Sequence, residues 1–563
     1  MNRNLRHTII EAARRIIRED NLGAADIPLY LERPKEKKFG DWALNIAMKL
    51  AKDARKPPLP LAEHLAARLR EALAAAGAAP AIASVEVKPP GFINIFLAPE
   101  AFADILSGVR SGQADYGRST IGQGRRTLLE FVSANPTGPL SIAHARQAAV
   151  GDALANIMEF AGFRVDREYY INDDGNQIRN LGLTLQARYA QACGRTDAAV
   201  PADGYKGEYM QGLARELREQ ELAGAVRVPA GADALPFFMD YAAARILAII
   251  REELRDFGVR FDHWISQKHE ITAARIDEVF AALRGAGYVY EQDGAVWFRS
   301  TAWGDDKDRV LIKRDGSYTY ITPDIAYHRF KFSRGYEKLI DILGPDHHGY
   351  INRLKAAVAA LGYDQESLSV IIIQLATLFR GGAPVVMSTR AGEYVTLREL
   401  IEEVGKDVAR FFFLMRRSDS LLEFDLELAK KQSQENPVYY VQYAYARIAS
   451  IRQICVEQGI PNNPPPADYS LLRQEEELDL IRLLSFFPDV VENCALQLEP
   501  QSMSQYLRDL AKQFHVFYDK HRVLDLERNR ELSLARLVLT NAVHQVLKTG
   551  LQLLGVEIPE KRM

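Results

Sequence analysis

Apolar positions along the chain fall into two regimes, and the change comes near residue 395. Before it, short apolar runs alternate with stretches of helical spacing. After it, apolar residues recur at three- and four-residue steps, the pattern of packed helices. Leu532, Ala535, Leu539, Ala542, Val543, Val546 and Leu547 show that spacing near the end. The pattern predicts helices over 397–415, 426–434, 438–456 and 471–498, with the four prolines of 461–468 marking a loop among them.

The first regime has finer structure. Residues 5–20 interrupt their apolar positions with Arg6, Glu11, Arg14, Arg15, Arg18 and Glu19, which predicts an amphipathic helix and not a secretory leader. A helix is predicted over 62–76 and short strands over 85–87 and 93–96, separated by Pro89, Pro90 and Gly91. The polar, glycine-containing stretch 111–126 reads as a linker. From 127 to 133 runs a short apolar strand interrupted by Glu130, followed by a turn at 135–139. A helix comes next, with Ala145, Ala148, Ala149, Leu154, Ile157 and Met158 available to one broad apolar face. A second strand is predicted over 163–171, a turn over 172–176, and further apolar runs lie at 339–343 and 370–375. Strand–loop–helix units repeated in this way predict a parallel sheet covered by helices. The stretch 186–303 is too long for one crossover and reads as an inserted, mostly helical module, with 241–257 its clearest helix.

Composition changes this picture little. A chain of 563 residues exceeds one ordinary core and implies three to four domains. No apolar run approaches the roughly 18–20 residues that span a bilayer. Cys193, Cys455 and Cys494 lie far apart, form no CxxC pair and are odd in number, as expected of thiols in a reducing cytoplasm. The net charge of −3 decides nothing about nucleic acid, because local basic patches make phosphate contacts.

Candidate chemistry begins where the strand carrying Glu130 ends. The chain turns through Asn135–Pro136–Thr137–Gly138–Pro139, and a helix starts beside His144. Backbone N–H groups at a helix start can face an anion, and open parallel sheets bind ligands at their strand carboxyl ends. By itself the segment reads equally as an ordinary turn capped by Ser141. Gly344–Pro345–Asp346–His347–His348–Gly349–Tyr350 also comes after an apolar strand. Its glycines permit close backbone approach, and Asp346 can accept from a ribose hydroxyl. A metal site at the two histidines lacks a third and fourth ligand at a sensible spacing, so no metal site is expected.

Ser133–Ala134–Asn135–Pro136–Thr137–Gly138–Pro139–Leu140, followed by His144, resembles the signature loop of class I aminoacyl-tRNA synthetases in its arginine-specific version. The HIGH tetrapeptide falls on Ser141–Ile142–Ala143–His144, so its second histidine is His144 and its first is replaced by Ser141. Residues 386–392 resemble the KMSKS loop that neutralises pyrophosphate. Its lysine positions are occupied by Val386 and Thr389, whereas Met387, Ser388 and Arg390 remain. The resemblance implies catalytic roles for His144, Ser141, Ser388 and Arg390. It implies an ATP site from Pro136, Gly138, His144, Gly344, Asp346, His347, His348 and Met387. The segment 320–327 is similar to the family's arginine-reading helix start, which makes Asp324 the carboxylate partner of the guanidinium fork. Tyr320 would cover the guanidinium plane or stem, and Glu130 and Asn135 would hold the α-amino group and backbone end. In isolation these residues read as readily as caps or surface charges.

The resemblance covers nearly the whole chain. Residues 39–45 and 90–94 look like markers of an N-terminal domain that contacts the tRNA corner, and 434–443 like the junction into an anticodon-binding bundle. Phe39, Asn45, Gln434, Asn436, Tyr440 and Gln442 are the implied tRNA contacts. The implied fold is multidomain α/β: a class I Rossmann-type nucleotide-binding catalytic domain between an N-terminal α+β domain and a C-terminal all-α anticodon-binding bundle. The implied bounds are 1–112, 113–395 with the insertion at about 186–303 and the signature loop at 386–390, a helical connecting segment at 396–435, and 436–563. The implied activity is ATP-dependent ligation of L-arginine to tRNA(Arg) through arginyl-adenylate. Mg2+ would accompany ATP, with no tightly bound cofactor, no membrane partner and a monomeric, cytoplasmic enzyme. Two alternatives stand beside it: a class I synthetase for another amino acid, and a non-catalytic tRNA-binding paralogue whose eroded loops record lost activity.

Overall fold

In the computed structural model, residues 5–23, 29, 31–34, 36–229, 231, 234–385, 394–462, 464 and 468–558 are described. Near the N-terminus three strands, β1 (Trp42–Leu44), β2 (Ile82–Lys88) and β3 (Phe92–Leu97), pair antiparallel in the order β1-β3-β2. Helices Leu5–Glu19, Pro58–Ala75 and Pro99–Gly112 belong to the same part of the chain. The helix at Pro58 starts where it does because proline suits the first helical turn, whose N–H groups lack intrahelical partners anyway. The expected linker at 111–126 begins on the end of Pro99–Gly112, so its first residues are helical.

The central sheet has five parallel strands. They are β4 (Arg126–Glu130), β5 (Arg164–Ile171), β6 (His263–Ser266), then, after a separate three-stranded sheet of β7 (Val289–Gln292), β8 (Ala295–Phe298) and β9 (Arg309–Ile312), β10 (Lys338–Leu343) and β11 (Leu368–Ile372). The spatial order is β11-β10-β4-β5-β6. Chain order therefore reverses between β4 and β10, which creates a crevice at their carboxyl ends. Register places Glu130 opposite Asp341 at that point. Leu128, Leu129, Leu339 and Ile340 are buried, as a sheet covered on both faces requires.

Helix Ile142–Phe160 carries the chain from β4 to β5 and is buried on nearly all sides. At Gly151 it lies so close to the sheet that an added Cβ would sit 2.3 Å from the Phe131 ring. The 186–303 stretch departs from the expected single helical module. Helices Asn176–Ala192, Glu208–Leu222 and Leu235–Asp256 precede β6, but β6 itself pairs with β5 in the central sheet. Helix Ala273–Gly285 comes after β6 and leads into the β7-β8-β9 sheet. A four-residue edge strand leaves too short an alternation to be read from sequence.

Beyond the sheet lie β12 (Ala376–Arg380), β13 (Ala383–Pro384) and β14 (Leu422–Asp425). The segment expected as a helical connection at 396–435 holds helices Leu397–Val404, Lys406–Phe413 and Leu426–Lys430, but also β14, which pairs parallel with β12. Four long helices close the chain: Pro437–Glu457, Glu475–Gln497, Gln501–Lys520 and Arg530–Leu553. Among the described residues no helix is long and apolar enough to cross a membrane.

The N-terminal unit docks on the helix Glu475–Gln497. Arg482 pairs with Asp41, Lys37 reaches Asp479 at 2.7 Å and Glu475 at 2.8 Å, and Trp42 Nε1 donates to Ser485 Oγ at 3.3 Å. The Arg6 guanidinium lies 4.9 Å from the Trp42 ring centre and 4.2 Å from that of Phe486, and pairs with Asp489. The sequence marker at 39–45 thus supplies an interdomain contact through Asp41 and Trp42.

Candidate active site

A cleft of about 700 Å3 opens at the carboxyl end of β4, lined by Asn135, Thr137, Gly138, Ser141 and His144. Residues of the 202–209 stretch and Tyr394 line it as well. Gly138 has no room for a side chain: a Cβ would meet the Tyr209 hydroxyl at 3.1 Å and that of Tyr394 at 3.3 Å. These phenols brace the loop, Tyr209 donating to the Thr137 carbonyl at 2.6 Å and Tyr394 to that of Pro139 at 2.9 Å. Glu253 accepts from the Leu140 N–H at 3.0 Å, and the Leu397 N–H donates to the Leu140 carbonyl at 2.8 Å. The signature loop is therefore held from three separate parts of the chain.

Ser141 is the N-cap of helix Ile142–Phe160, so free N–H groups of its first turn point toward the cleft end of the helix. His144 Nδ1 accepts from the Ser141 N–H at 3.2 Å and lies 3.1 Å from Ser141 Oγ. Burial lowers the ring's pKa to about 4, so it is neutral near pH 7. An accepting Nδ1 on a neutral imidazole places the proton on Nε2. The replacement Ser141 thus caps the helix and lies against the histidine that remains.

A buried charge chain lies at the strand switch. Lys331, fully buried, pairs with Glu130 and with Asp341 Oδ1 at 2.7 Å. Asp341 Oδ2 lies 2.8 Å from His328 Nε2, and His328 Nδ1 lies 2.8 Å from the Asp324 carbonyl. Ser133 Oγ donates to Glu130 Oε1 at 2.9 Å. Burial raises the pKa of Glu130 against the opposing effect of Lys331. Burial would lower that of Lys331, but Asp341 and Glu130 more than offset it and the ammonium is held above its ordinary value. Asp341 is held low by Lys331 and His328 despite its burial.

Asp324 sits in the first turn of helix Ile321–Ser333 and accepts from the Tyr350 hydroxyl at 2.5 Å. Its pKa is raised, burial outweighing Tyr350 and His328. Burial, then Asp324, Glu130, Asp173 and Asp174, push the Tyr170 hydroxyl far up, which marks this part of the crevice as acidic. Tyr320 is 90% exposed, so its ring does not pack over Asp324 here. The Asn135 amide donates to Gln177 Oε1 at 2.7 Å. Pro136 is buried, Gly344 half-buried, and Asp346 and His347 exposed, the His347 ring 6.1 Å from that of Tyr350. The His348 side chain and residues Met387, Ser388 and Arg390 lie outside the described residues. Among the described residues no three His, Cys, Asp or Glu side chains gather as a metal-binding group.

The expected tRNA contacts divide. Gln434 is exposed, and Phe39 is half-buried with Lys38 Nζ 5.0 Å from its ring centre. Asn45 donates to Glu32 at 2.5 Å, and the half-buried Tyr440 ring lies 4.7 Å from that of His515. Asn436 and Gln442 turn their polar groups to the protein itself. Asn436 is buried: it accepts from the Val438 N–H at 3.0 Å as a helix cap and donates to the Ala429 and Lys431 carbonyls, both at 2.9 Å. Gln442 is also buried and donates to the Glu557 carbonyl at 3.4 Å. Asn436 serves its helix in this way because Asn before proline is a strong helix N-cap.

Sequence reasoning missed Lys331, Asp341, His328, Gln177 and Tyr350, which reach the site from elements far apart in the chain. An aspartate inside the apolar run of β10 was the available signal.

Three family models match the chain: the arginyl tRNA synthetase N terminal domain over residues 3–97, the tRNA synthetases class I (R) catalytic domain over 109–430, and the DALR anticodon binding domain over 441–562. The chain is 46% identical to an arginine–tRNA ligase of Geobacter sp. (strain M21), over 100% of both chains. It is 48% identical to one from Geobacillus kaustophilus, covering 97% of this chain and 96% of the relative. The solved arginyl-tRNA synthetase of Thermus thermophilus superposes with a TM-score of 0.77 at 22% identity, covering 99% of this chain and 100% of that one, a likeness of fold.

Proposed function

Since the chain belongs to the arginyl-tRNA synthetase family and charges tRNA with arginine in an ATP-dependent reaction, we propose that adenylation is performed in the switch-point crevice by the residues gathered there. The triphosphate lies at the helix start beside Ser141, with Gly138 giving close backbone approach and His144 Nε2–H donating to the phosphates. Pro136, Gly344, Asp346 and His347 frame the nucleotide, with His348 and Met387 completing its surroundings. Mg2+ travels with ATP, held mostly by phosphate and water oxygens. Arginine enters with its guanidinium against Asp324 and its α-amino end toward Glu130 and Asn135, and Tyr320 swings over the stem. The arginine carboxylate attacks the α-phosphorus, and pyrophosphate leaves past Ser388 and Arg390. The terminal ribose of tRNA then takes the arginyl group. Positioning and charge stabilisation suffice for such a transfer, so no protein nucleophile is needed.

The observation that carries the substrate assignment is that Asp324 and Glu130, from different elements, meet at the strand switch through His328, Asp341 and Lys331. A carboxylate pair partly neutralised by Lys331 suits a substrate with both a guanidinium and an ammonium. Phe39, Asn45, Gln434 and Tyr440 are retained as tRNA contacts, and the enzyme is taken to act as a monomer in the cytoplasm. Asp324→Asn tests the reading, because the amide cannot accept two parallel bonds. Loss of a buried charge partner costs on the order of 2–5 kcal/mol, so kcat/KM for arginine should fall by roughly 30-fold to several thousandfold with the ATP KM nearly unchanged. Ordinary arginine kinetics in that variant would remove Asp324 from the pocket.

A further inference from the structure

The motif at 386–390 has no lysine, although pyrophosphate leaves with several negative charges. Among the described residues lining the cleft beside Ser141 and His144, Lys206 is the only one with a permanent positive charge. Its backbone is clamped on both sides. Before it, the Tyr205 N–H donates to Thr184 Oγ1 at 3.2 Å, and a Cβ on Gly204 would lie 2.8 Å from that same oxygen. After it, a Cβ on Gly207 would fall 2.4 Å from the Tyr209 ring, and the Tyr209 hydroxyl holds the Thr137 carbonyl of the signature loop at 2.6 Å. The loop thus touches the helix Asn176–Ala192 through Thr184 and the signature loop through Tyr209. The Lys206 side chain is exposed and makes no ion pair among the described residues, although Asp203 lines the same cleft. A four-carbon stem carried between two such contacts, ending in an uncommitted ammonium, is suited to follow an anion that moves during reaction.

We propose that Lys206 is a catalytic cation of arginine adenylation, pairing with the β- and γ-phosphates and stabilising pyrophosphate as it leaves. This rests on the cleft being the triphosphate site. In the step, a carboxylate oxygen of arginine bonds to the α-phosphorus while the bond from that phosphorus to the bridging β-oxygen breaks. The electron pair of the broken bond leaves on pyrophosphate. The Lys206 ammonium keeps its protons throughout and contributes charge and hydrogen bonds alone.

Arginine-dependent ATP–pyrophosphate exchange in the presence of tRNA tests this with K206A, K206R, the double variant K206A/V386K, and H144A as a control. The expected result is a fall in kcat of about 10²-fold for K206A, the scale of one lost transition-state donor. The arginine KM and the thermal midpoint should stay near those of the wild type. K206R should recover most of the rate, and a lysine restored at the motif by V386K should recover at least about tenfold, as the proposal requires of a second cation for the same anion. Exchange by K206A within about twofold of wild type, with H144A crippled, would overturn the role of Lys206 and leave the cleft reading intact. Undiminished exchange in both variants would overturn the cleft reading as well. A loss that neither K206R nor V386K restores would assign Lys206 a purely structural part in the loop and overturn the proposal.

Discussion

At His144, chain geometry and burial act on one ring. The Ser141 N–H occupies Nδ1, and burial brings the pKa down to about 4. In the free enzyme, kcat/KM for ATP should therefore show no His144 step between pH 5 and 8. The stability consequence has a definite sign. The folded pKa lies below the free value of about 6.5, so the unfolded chain binds this proton first, and stability present above pH 6.5 is lost as pH falls toward 4. The contribution is up to roughly 3 kcal/mol. Denaturant unfolding at pH 7.5 and 4.5 should show a smaller difference for His144→Gln than for the wild type, and an identical difference would mean that the ring titrates normally. In the proposed site the same residue donates to phosphate, so His144→Ala should lower kcat by about 10²–10³-fold.

Among the elements, the helix Ile142–Phe160 positions the phosphate end of the proposed site by packing closely on the sheet. That approach requires glycine at 151, where a methyl would sit 2.3 Å from the buried Phe131 ring. In an exposed helix Gly→Ala gains up to about 1 kcal/mol. Here overpacking wins, and Gly151→Ala should destabilise by about 1–3 kcal/mol, seen as a lower urea midpoint. The same change should reduce arginine activation, because the N-terminus of the helix carries Ser141 and His144. A stabilised Gly151→Ala variant would show that the helix has slack against the sheet.

Across the whole molecule, the end of the last helix reaches back to the catalytic sheet. Arg410, fully buried, donates to the Leu554 carbonyl at 3.2 Å and the Phe257 carbonyl at 3.1 Å, and pairs with Asp152 of the helix Ile142–Phe160 at 2.5 Å. Removing residues 531–563 would take away Leu554 and expose partners of Leu537, Leu539, Val543 and Leu547. A buried guanidinium left short of acceptors is costly. The truncated protein should therefore lose amino-acid activation as well as tRNA binding, measured by ATP–pyrophosphate exchange and by filter binding. Normal exchange with impaired tRNA binding would mean that the bundle serves tRNA alone.

The sequence by itself determined the parts of this protein whose physics is local. The helical spacing after residue 395, the strand ending in a Pro-Gly turn beside His144, and the first-turn position of Asp324 all depend on neighbours a few residues away. The family resemblance at the signature loop rests on the same contiguous residues. Tertiary structure decided whatever depends on meeting a distant partner. It placed β6 in the central sheet, where pairing with β5 and not its own four residues makes it a strand. It turned Asn436 and Gln442 inward, since a polar side chain in a helix gives no sign of which way it faces until the bundle packs. It joined Glu130, Lys331, Asp341 and His328 into one chain of contacts. It also brought Lys206 and His144 to one cleft. Periodicity reports which residues prefer to be buried. Only closure of the sheet and its crossovers brings together groups separated by hundreds of residues, and a buried charge is tolerated only where such a partner arrives.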